Sequence, residues 1–400
     1  MSFETMDQAI RPSGGPDQKI LMIKLGAVGD LVMASAFFEG VRQNFPRSKV
    51  SLLVSQRIFY TVQENPNIDQ FILADTDAIY KAGWFSRLRE VFRLIALLRK
   101  QKFDQVFVLH WAWPFNLLAF LCRIPVRVGF GRNREGLFLT HRVRTQKDRN
   151  NREAYLDLLR AVGKPVRYRK SYYYISEKED RFLDSFVEEH RIGTGEAVIA
   201  LAPGGGRNIK QTMLNRLWPV ENFIALIDRF KMDGPYRIVL IAGPDDGAVI
   251  QPILERYPQC IDTRALSFGQ KASILRRSRL LVGNDSAPIH IAMAMGVPTY
   301  SLWGPTHPKR YGDPLPSHTT LFKKIECSPC YNDGKFPKCD DNRCLKAITV
   351  DEVWQALQAE LPRAMPQPAA SENSVSVIEF PADIISVPRA VPGNPSRPTA

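Results

Sequence analysis

The chain has 400 residues and a mass of 45.4 kDa, enough for about two domains, and its 44% hydrophobic and 24% charged residues are typical of a globular protein. Six cysteines are too few for a disulfide scaffold, residues 1–19 lack the apolar core of a signal peptide, and no apolar run approaches the roughly 20 residues of a membrane span, so we expect a cytoplasmic protein. The net charge is +13, and residues 1–175 carry the whole excess with 28 basic and 15 acidic residues, which predicts a polyanionic partner: nucleic acid, anionic lipid or a phosphorylated glycan.

Apolar runs alternate with helical patterns in the first half of the chain. Strands are predicted at 20–25, 50–54 and 106–110, with a helix that ends at Phe45 and a second helix over 85–100. This alternation predicts a parallel sheet with right-handed crossovers.

The second half repeats the scheme. Its predicted strands are 197–203, 236–243, 279–284 and 297–304, and its predicted helices are 219–232, 247–256 and 288–295. We therefore predict an α/β protein with two Rossmann-like domains and a linker near 165–185. The predicted organisation is a flexible N-terminus (1–18), an N-terminal domain (19–175), a C-terminal domain (176–361) that ends in a helix at 351–361, and a disordered Pro-rich tail (362–400).

The first candidate loop, residues 24–30 (KLGAVGD), follows the first strand. This loop has one glycine fewer than the dinucleotide-binding fingerprint. The positive end of the helix dipole stabilises the carboxylate of Asp30, and that carboxylate would repel a phosphate bound at the same helix N-terminus. The side chain of Asp30 should lie in the crevice beyond the strand, where a general base belongs. The alternative role for Asp30 is helix capping.

The second loop, PGGGR, follows a buried strand. Glycines such as Gly204 and Gly205 let backbone N–H groups approach an anion closely, and Lys210 and Arg216 supply cations. This pattern predicts a phosphate-binding loop. A flexible linker is the alternative, which the flanking strand and helix disfavour.

The third loop, GNDSAPIH, begins a helix. Asp285 or Ser286 caps it and proline suits its first turn, so its free N–H groups form a ready pyrophosphate site. His290 lies one turn further on. A helical histidine is usually structural, but this one shares the N-terminal turn with Asp285.

KLGAVGD, PGGG…RLWPVENF and GNDSAPIHIAMAMGVPTYSLWGPTHPKRYG, in this order, resemble glycosyltransferase family 9, the heptosyltransferases of lipopolysaccharide core synthesis. The resemblance covers about residues 19–361. It implies a GT-B fold, in which two Rossmann-like domains face a cleft and bind the acceptor and the sugar nucleotide, respectively. It also implies transfer of L-glycero-D-manno-heptose from ADP-heptose to lipid A–Kdo acceptors or the growing core, with inversion and without a metal.

The resemblance also implies roles for single residues. Asp30 falls on the family's general base, which deprotonates the acceptor hydroxyl. The family's phosphate-contacting lysine precedes its Trp-Pro. Arg216 lies nearest that place here, and Lys210 lies in an apparent insertion, so either could reach the phosphate.

Further residues match the family's donor site. Asp285, Ser286 and His290 match its Asp-Thr-Gly-x-x-His pattern, with Ala287 in place of the glycine. The family's ribose-binding acidic residue is not cleanly present, and Asp245 or Asp246 is our substitute.

The basic first half suits an acceptor that carries phosphates and carboxylates. The predicted helix at 85–100 mixes aromatic residues with arginines, so it could lie on an anionic membrane or pack on the sheet. Residues 111–115 (WAWPF) either line the acceptor side or pack in the core. A nucleic-acid binder would also explain the charge, but no binding module is recognisable.

Four cysteines fall within 18 residues. Their spacing, C-x₂-C-x₈-C-x₄-C, suits a structural zinc, although the second separation is short; free or redox-active thiols are the alternative. The cysteines are Cys327, Cys330, Cys339 and Cys344.

The sequence thus predicts an inverting, metal-independent heptosyltransferase with no required cofactor, located in the cytoplasm or on the cytoplasmic face of the inner membrane. Its predicted partners are ADP-heptose and an anionic glycolipid. Two alternatives remain. One is a GT-B enzyme for another sugar nucleotide or another acceptor, such as O-antigen or a capsule glycan. The other is a degenerate, non-catalytic glycan-binding relative.

Overall fold

The structure is a computed structural model. It describes residues 17–131, 136–144, 149–166, 170–205, 213–331, 337–339, 341–358 and 360–361. The chain up to Leu361 forms one compact unit. The flexible N-terminus predicted for 1–18 lies outside the described residues except for its last two, and the tail predicted for 362–400 lies wholly outside them.

The first half forms a parallel sheet of six strands. Its strands are β1 (Lys19–Ile23), β2 (Lys49–Ser55), β3 (Gln70–Ala74), β4 (Gln105–Val108), β5 (Val126–Phe130) and β6 (His141–Val143), in the order β3-β2-β1-β4-β5-β6. Its helices are α1 (Val28–Asn44), α2 (Thr76–Tyr80), α3 (Trp84–Gln101), α4 (Trp113–Leu121) and α5 (Asn151–Arg160).

Two hydrophobic clusters cover the faces of this sheet. Helices α1 and α5 pack on one face, and α3 and α4 pack on the other. The central strands are buried on both faces, which explains why they read as continuous apolar runs.

The second half repeats this topology. Its strands are β7 (Ala197–Ala202), β8 (Tyr236–Leu240), β9 (Ile261–Asp262), β10 (Leu280–Asn284), β11 (Thr299–Trp303) and β12 (His318–Phe322), in the order β12-β11-β10-β7-β8-β9. Its helices are α6 (Glu177–Glu189), α7 (Val220–Asp233), α8 (Gly247–Arg256), α9 (Phe268–Arg277), α10 (Ala287–Met295), α11 (Pro308–Tyr311), α12 (Arg343–Lys346) and α13 (Val350–Leu357).

The predicted α/β class with two parallel sheets is confirmed. In both sheets the strand order reverses between the first and fourth strands, β1 and β4 or β7 and β10. Ligands of such sheets bind beyond the carboxyl ends of the strands at this switch point. All three candidate loops follow strands at a switch point, after β1, β7 and β10.

Several strands were not predicted. β5 contains an arginine and a glycine, and β6 and β9 have only three and two residues, so none of them forms an apolar run. The helix predicted at 351–361 ends earlier, at Leu357.

Candidate active site

The carboxyl ends of the two sheets face a cleft of about 850 Å³. The cleft brings together residues from all three candidate loops. Its lining includes Asp30, Gly204, Gly205, Arg216, Asp245, Asp246, Asp285, Ser286, Ala287 and His290. Lys210 lies outside the described residues, so its predicted phosphate contact stays a prediction.

Asp30 lies in the first turn of α1, where the helix dipole favours a negative charge. Its Oδ2 accepts a hydrogen bond of 2.8 Å from Nζ of Lys24, the residue that follows β1. The lysine is buried, whereas the side chain of Asp30 is 29% exposed. Lys24 and the first turn of α1 therefore hold the Asp30 carboxylate at the wall of the cleft, and part of this carboxylate remains accessible from the cleft. Asp30 does not cap the helix, because the capping position is Ala27.

Three tyrosines surround the carboxylate. Burial raises the pKa of Tyr155 well above its usual value, and the charge of Asp30 raises it further. Burial also raises the pKa values of Tyr311 and Tyr331, and the charge of Asp30 again raises them further. All three phenols therefore stay protonated at neutral pH, and Tyr311 and Tyr331 line this part of the cleft, whereas Tyr155 is buried behind it.

Asp285 lies before the N-cap of α10 and is buried. Its Oδ2 is 2.6 Å from Nη2 of Arg216 and accepts a hydrogen bond from Thr306, and its Oδ1 is 3.7 Å from Nε2 of His290. Burial would raise the pKa of Asp285, but the charge of Arg216, with His290 and Thr306, outweighs burial and lowers the pKa to about 2. Asp285 thus holds Arg216 and His290 in place.

Three buried polar atoms in this region have no hydrogen-bond partner within the described chain. They are Nε of Arg216, Oγ of Ser286 and Nδ1 of His290. Ser286 is the N-cap of α10, yet its hydroxyl makes no capping hydrogen bond. Because unpaired buried polar groups are costly, and because the N-terminus of α10 carries partial positive charge, this cluster is suited to an anion.

The loop after β7 lies against this cluster. Gly205 has φ +107°, and a Cβ there would overlap the side chain of Ser286, so only glycine permits this close approach. Asn284 positions the loop: its amide nitrogen donates to the carbonyl of Pro203, and its oxygen accepts from the N–H of Trp218. The same asparagine thus ties the loop after β7 to the segment that carries Arg216.

The two ribose candidates differ. The carboxylate of Asp246 accepts hydrogen bonds from the backbone N–H groups of Gly205 (3.2 Å) and Gly243 (2.7 Å). These two hydrogen bonds give Asp246 a structural role, but each of its oxygens can accept one more and Asp246 lines the cleft, so its ribose role stays a prediction. Asp245 is exposed at the cleft, and its ribose role stays a prediction.

Helices α1 and α10 bring the two halves of the site together. A Cβ at Gly29 would overlap the imidazole of His290, so the first turn of α1 lies directly against α10. Asp30 therefore lies one residue away from a contact with the anion-binding cluster.

Two buried lysines of the cleft were not singled out as candidates. Lys24 is the ion-pair partner of Asp30, and Lys271 of α9 lines the cleft. Lys24 directly follows an apolar run. A residue at the end of such a strand in a parallel sheet is usually buried, so its position alone does not indicate an ion pair. Lys271 lies in an ordinary amphipathic pattern, and nothing in the sequence distinguishes it.

The aromatic run at 111–115 is divided between the surface and the core: Ala112, Trp113 and Pro114 are exposed, and Trp111 and Phe115 are half-buried against the hydrophobic clusters. Trp111 contacts Phe130 with ring centroids 3.9 Å apart, and Phe115 stacks on His110 at 3.9 Å. Of the two predicted roles of this run, packing against the core therefore applies to Trp111 and Phe115.

The four cysteines at 327–344 were predicted to hold a structural zinc or to be free thiols, and the zinc stays a prediction. Among the described residues, which include all four, no three His, Cys, Asp or Glu side chains form a group that could hold a metal ion. The predicted structural zinc therefore gains no support from this geometry. Cys344 is buried beneath Gly304, and Cys327 and Cys339 are exposed.

Comparison with known proteins shows a family match over much of the chain. The model of glycosyltransferase family 9 (heptosyltransferase) matches residues 91–339. Lipopolysaccharide heptosyltransferase 3 of Escherichia coli is 27% identical over 296 residues, which cover 70% of this chain and 81% of that protein.

Solved structures share the fold. A family 9 glycosyl transferase from Veillonella parvula superimposes with a TM-score of 0.72 at 23% identity, over 86% of this chain and 97% of that one. The E. coli heptosyltransferase WaaC, solved with ADP-2-deoxy-2-fluoro heptose, gives a TM-score of 0.64 at 18% identity, over 86% of this chain and 100% of that one. The predicted GT-B fold is confirmed.

Proposed function

This chain belongs to glycosyltransferase family 9, and we propose that it transfers a heptose from ADP-heptose to an acceptor of the lipopolysaccharide core. One observation carries the proposal: the carboxylate of Asp30 lies beside an anion-binding cluster at the N-terminus of α10. A base next to a site for a diphosphate leaving group is the arrangement that glycosyl transfer from a sugar nucleotide requires.

In the proposed reaction, Asp30 accepts the proton of an acceptor hydroxyl. The acceptor oxygen forms a bond to the anomeric carbon while the bond from that carbon to the β-phosphate oxygen breaks, and the electron pair leaves with ADP. A single displacement inverts the anomeric centre. Lys24 holds the Asp30 carboxylate in place before the transfer.

The leaving ADP gains negative charge as the bond breaks. We propose that the N–H groups of α10, the hydroxyl of Ser286, the imidazole of His290 and the guanidinium of Arg216 stabilise this charge, so that no metal ion is required. These groups are held in place before the donor binds, because Asp285 fixes Arg216 and His290.

The identity of the donor rests on the relatives. The curated protein matched over most of its length is a lipopolysaccharide heptosyltransferase, and the WaaC structure holds an ADP-heptose analogue. The positive charge of the first half supports an acceptor that carries phosphate or carboxylate groups.

We further propose that the protein acts at a membrane surface, where such an acceptor is embedded. No described helix combines the length and apolar character needed to cross a bilayer. Helix α3 exposes Trp84, Phe85 and Phe92 (62–70%) next to the exposed Arg87 and Arg89. The only acidic residue of α3, Glu90, is buried and paired with an arginine, so the outer face of α3 suits anionic lipid.

Calorimetric titration of ADP, UDP, GDP and CDP into the protein, with EDTA present, tests the donor. Selective binding of ADP is the expected result and supports a metal-independent ADP site. Preference for UDP or GDP would retain the mechanism and replace the heptose donor. If none of the four binds, the chain is a non-catalytic glycan-binding relative.

A further inference from the structure

Lys271 is a buried cation that the proposed mechanism does not use. It lies on α9, lines the cleft and is only 5% exposed. Across the described segments its side chain makes no hydrogen bond or ion pair, and its Nζ lies 5.4 Å from the centre of the Phe268 ring. Burial lowers the pKa of Lys271, although Asp246 and Asp262 oppose this effect.

The ammonium nitrogen of Lys271 has no acceptor within the described residues and is not one of their sealed, unpartnered buried atoms, so it reaches the open space of the cleft. Lysine has three donors and no acceptor, so a ligand that binds Lys271 there must present an acceptor atom. Lys271 therefore indicates a ligand contact that is separate from the cluster around Ser286.

The strand order shows which part of a sugar nucleotide reaches Lys271. The anion-binding cluster lies at β10 and β7, and the next strands along the sheet are β8 and β9. Helix α9 follows β9. A nucleotide whose pyrophosphate binds at α10 can extend its nucleoside along this edge towards α9.

The surroundings of Lys271 suit a flat heterocycle. The apolar lining on this side of the cleft includes Ile241, Ala242, Phe268 and Leu275, and the carboxylates of Asp245 and Asp246 lie on the same side. Apolar and aromatic walls with a few placed polar groups are typical of a pocket for a small-molecule ring. A purine offers ring-nitrogen acceptors, and the attached ribose offers hydroxyl oxygens.

We propose that Lys271 binds the nucleoside part of the donor by donating a hydrogen bond to it, and that it contributes to nucleotide selection. This inference rests on the proposed function, because it takes the donor to be a sugar nucleotide. Lys271 does not contact the reacting atoms, so its loss should weaken binding without removing the general base.

The test compares wild-type protein with Lys271→Met through inhibition constants for ADP, adenosine and inorganic pyrophosphate against the sugar-nucleotide donor. The variant should bind ADP and adenosine more weakly by the same factor, roughly tenfold, and pyrophosphate unchanged. Lys271→Gln, which keeps donors without the charge, should restore part of the affinity.

Lys231→Met is the matched control. Lys231 also lies over an aromatic ring, that of Tyr257 at 5.0 Å, but it is exposed on α7 outside the cleft. Its replacement should change none of the three constants.

Three results would overturn the proposal or its premise. Unchanged ADP affinity in Lys271→Met would remove the contact. Weaker binding of ADP and pyrophosphate, with unchanged adenosine, would assign Lys271 to a phosphate instead. If wild-type protein is inhibited by neither ADP nor adenosine, the proposed function itself fails.

Discussion

The two carboxylates of the site have opposite environments although both lie at the start of a helix. Asp30 has one cationic partner and an accessible edge, whereas Asp285 is buried among Arg216, His290 and Thr306. Only the first is accessible enough for the proposed role as proton acceptor. The second is a fixed charge that holds Arg216 and His290, the groups proposed to stabilise the leaving ADP.

Replacing Asp30 tests the general base directly. Asp30→Asn keeps the size of the side chain and an oxygen that can accept from Lys24, but it removes the basic site. We expect kcat to fall by about 10²- to 10⁴-fold. ADP affinity, measured by calorimetry, should change little. Turnover equal to that of the wild type would refute the assignment.

The lowered pKa of Asp285 predicts acid-dependent stability. Its folded-state pKa, about 2, lies below the usual value of 3.8, so its contribution to stability is present above pH 4 and is lost as the pH falls towards 2. The contribution is about 2 kcal/mol. Denaturant unfolding at several pH values should show the stability difference between wild-type protein and Asp285→Asn shrinking by this amount in acid.

The exposed carboxylate of Asp351 provides the control, because Asp351→Asn should leave the pH dependence unchanged. An Asp285→Asn protein that loses stability in acid as steeply as the wild type would contradict the buried ion pair.

At the scale of elements, the contact between α1 and α10 joins the base to the leaving-group site. Gly29→Ala would normally favour a helix by about 0.5–1 kcal/mol. Here the added methyl group overlaps His290, so we expect a lower Tm and a reduced kcat. Gly195→Ala, at an open and exposed position outside the helices, should affect neither quantity. Equal behaviour of the two variants would mean that α1 and α10 are not in close contact.

Helix α3 carries the prediction for membrane binding. Its N-terminus lies towards the cleft edge of the sheet, because crossover helices run antiparallel to the strands they connect. Trp84→Ala combined with Phe92→Ala should reduce binding to phosphatidylglycerol vesicles about tenfold or more, measured by co-sedimentation. Activity on a soluble acceptor fragment should persist.

Met232→Ala is the control for this experiment, since Met232 is 86% exposed on α7 in the other half of the protein. Vesicle binding that survives the double substitution on α3, or is lost equally with the control, would place the membrane surface elsewhere.

The elements that could be predicted from the sequence are those with long apolar signals. Strands β1, β2, β4, β7, β8, β10 and β11 stand near the predicted positions, because a strand buried on both faces leaves a continuous apolar run. Short edge strands such as β9 leave no such run. In the site, glycine-rich loops and helix starts are local sequence patterns, so Asp30 and Ser286 could be identified as candidate residues. The structural role of Asp246 and the burial of Lys271 depend on packing between distant segments, so they could not be predicted from the sequence.

At the scale of the whole molecule, three of the contacts between the described parts of the two halves matter most for the cleft. Gly29 contacts His290, Tyr60 stacks on Phe268 at 4.8 Å, and Arg152 forms a buried ion pair with Asp313. The first two line the cleft, and the third ties α5 to the segment after α11. Together they fix the relation between the acceptor half and the donor half.

Breaking the buried ion pair should weaken this connection. Arg152→Met removes the cation that pairs with the buried carboxylate of Asp313, and breaking such a pair costs about 3–5 kcal/mol. Chemical denaturation should show this loss. Arg229→Met, which breaks an exposed pair with Asp351, should cost less than about 1 kcal/mol. Similar losses of stability in the two variants would show that the buried pair of Arg152 and Asp313 contributes no more to stability than an exposed pair.

The contact between Gly29 and His290 also limits how this chain can diverge. A larger residue at position 29 fits only if the residue at position 290 becomes smaller, so substitutions at these two positions should be correlated among homologues. Single changes at either position should be rare, because each would move the proton acceptor away from the departing nucleotide. A base and an anion site that touch through a glycine must therefore evolve as one unit.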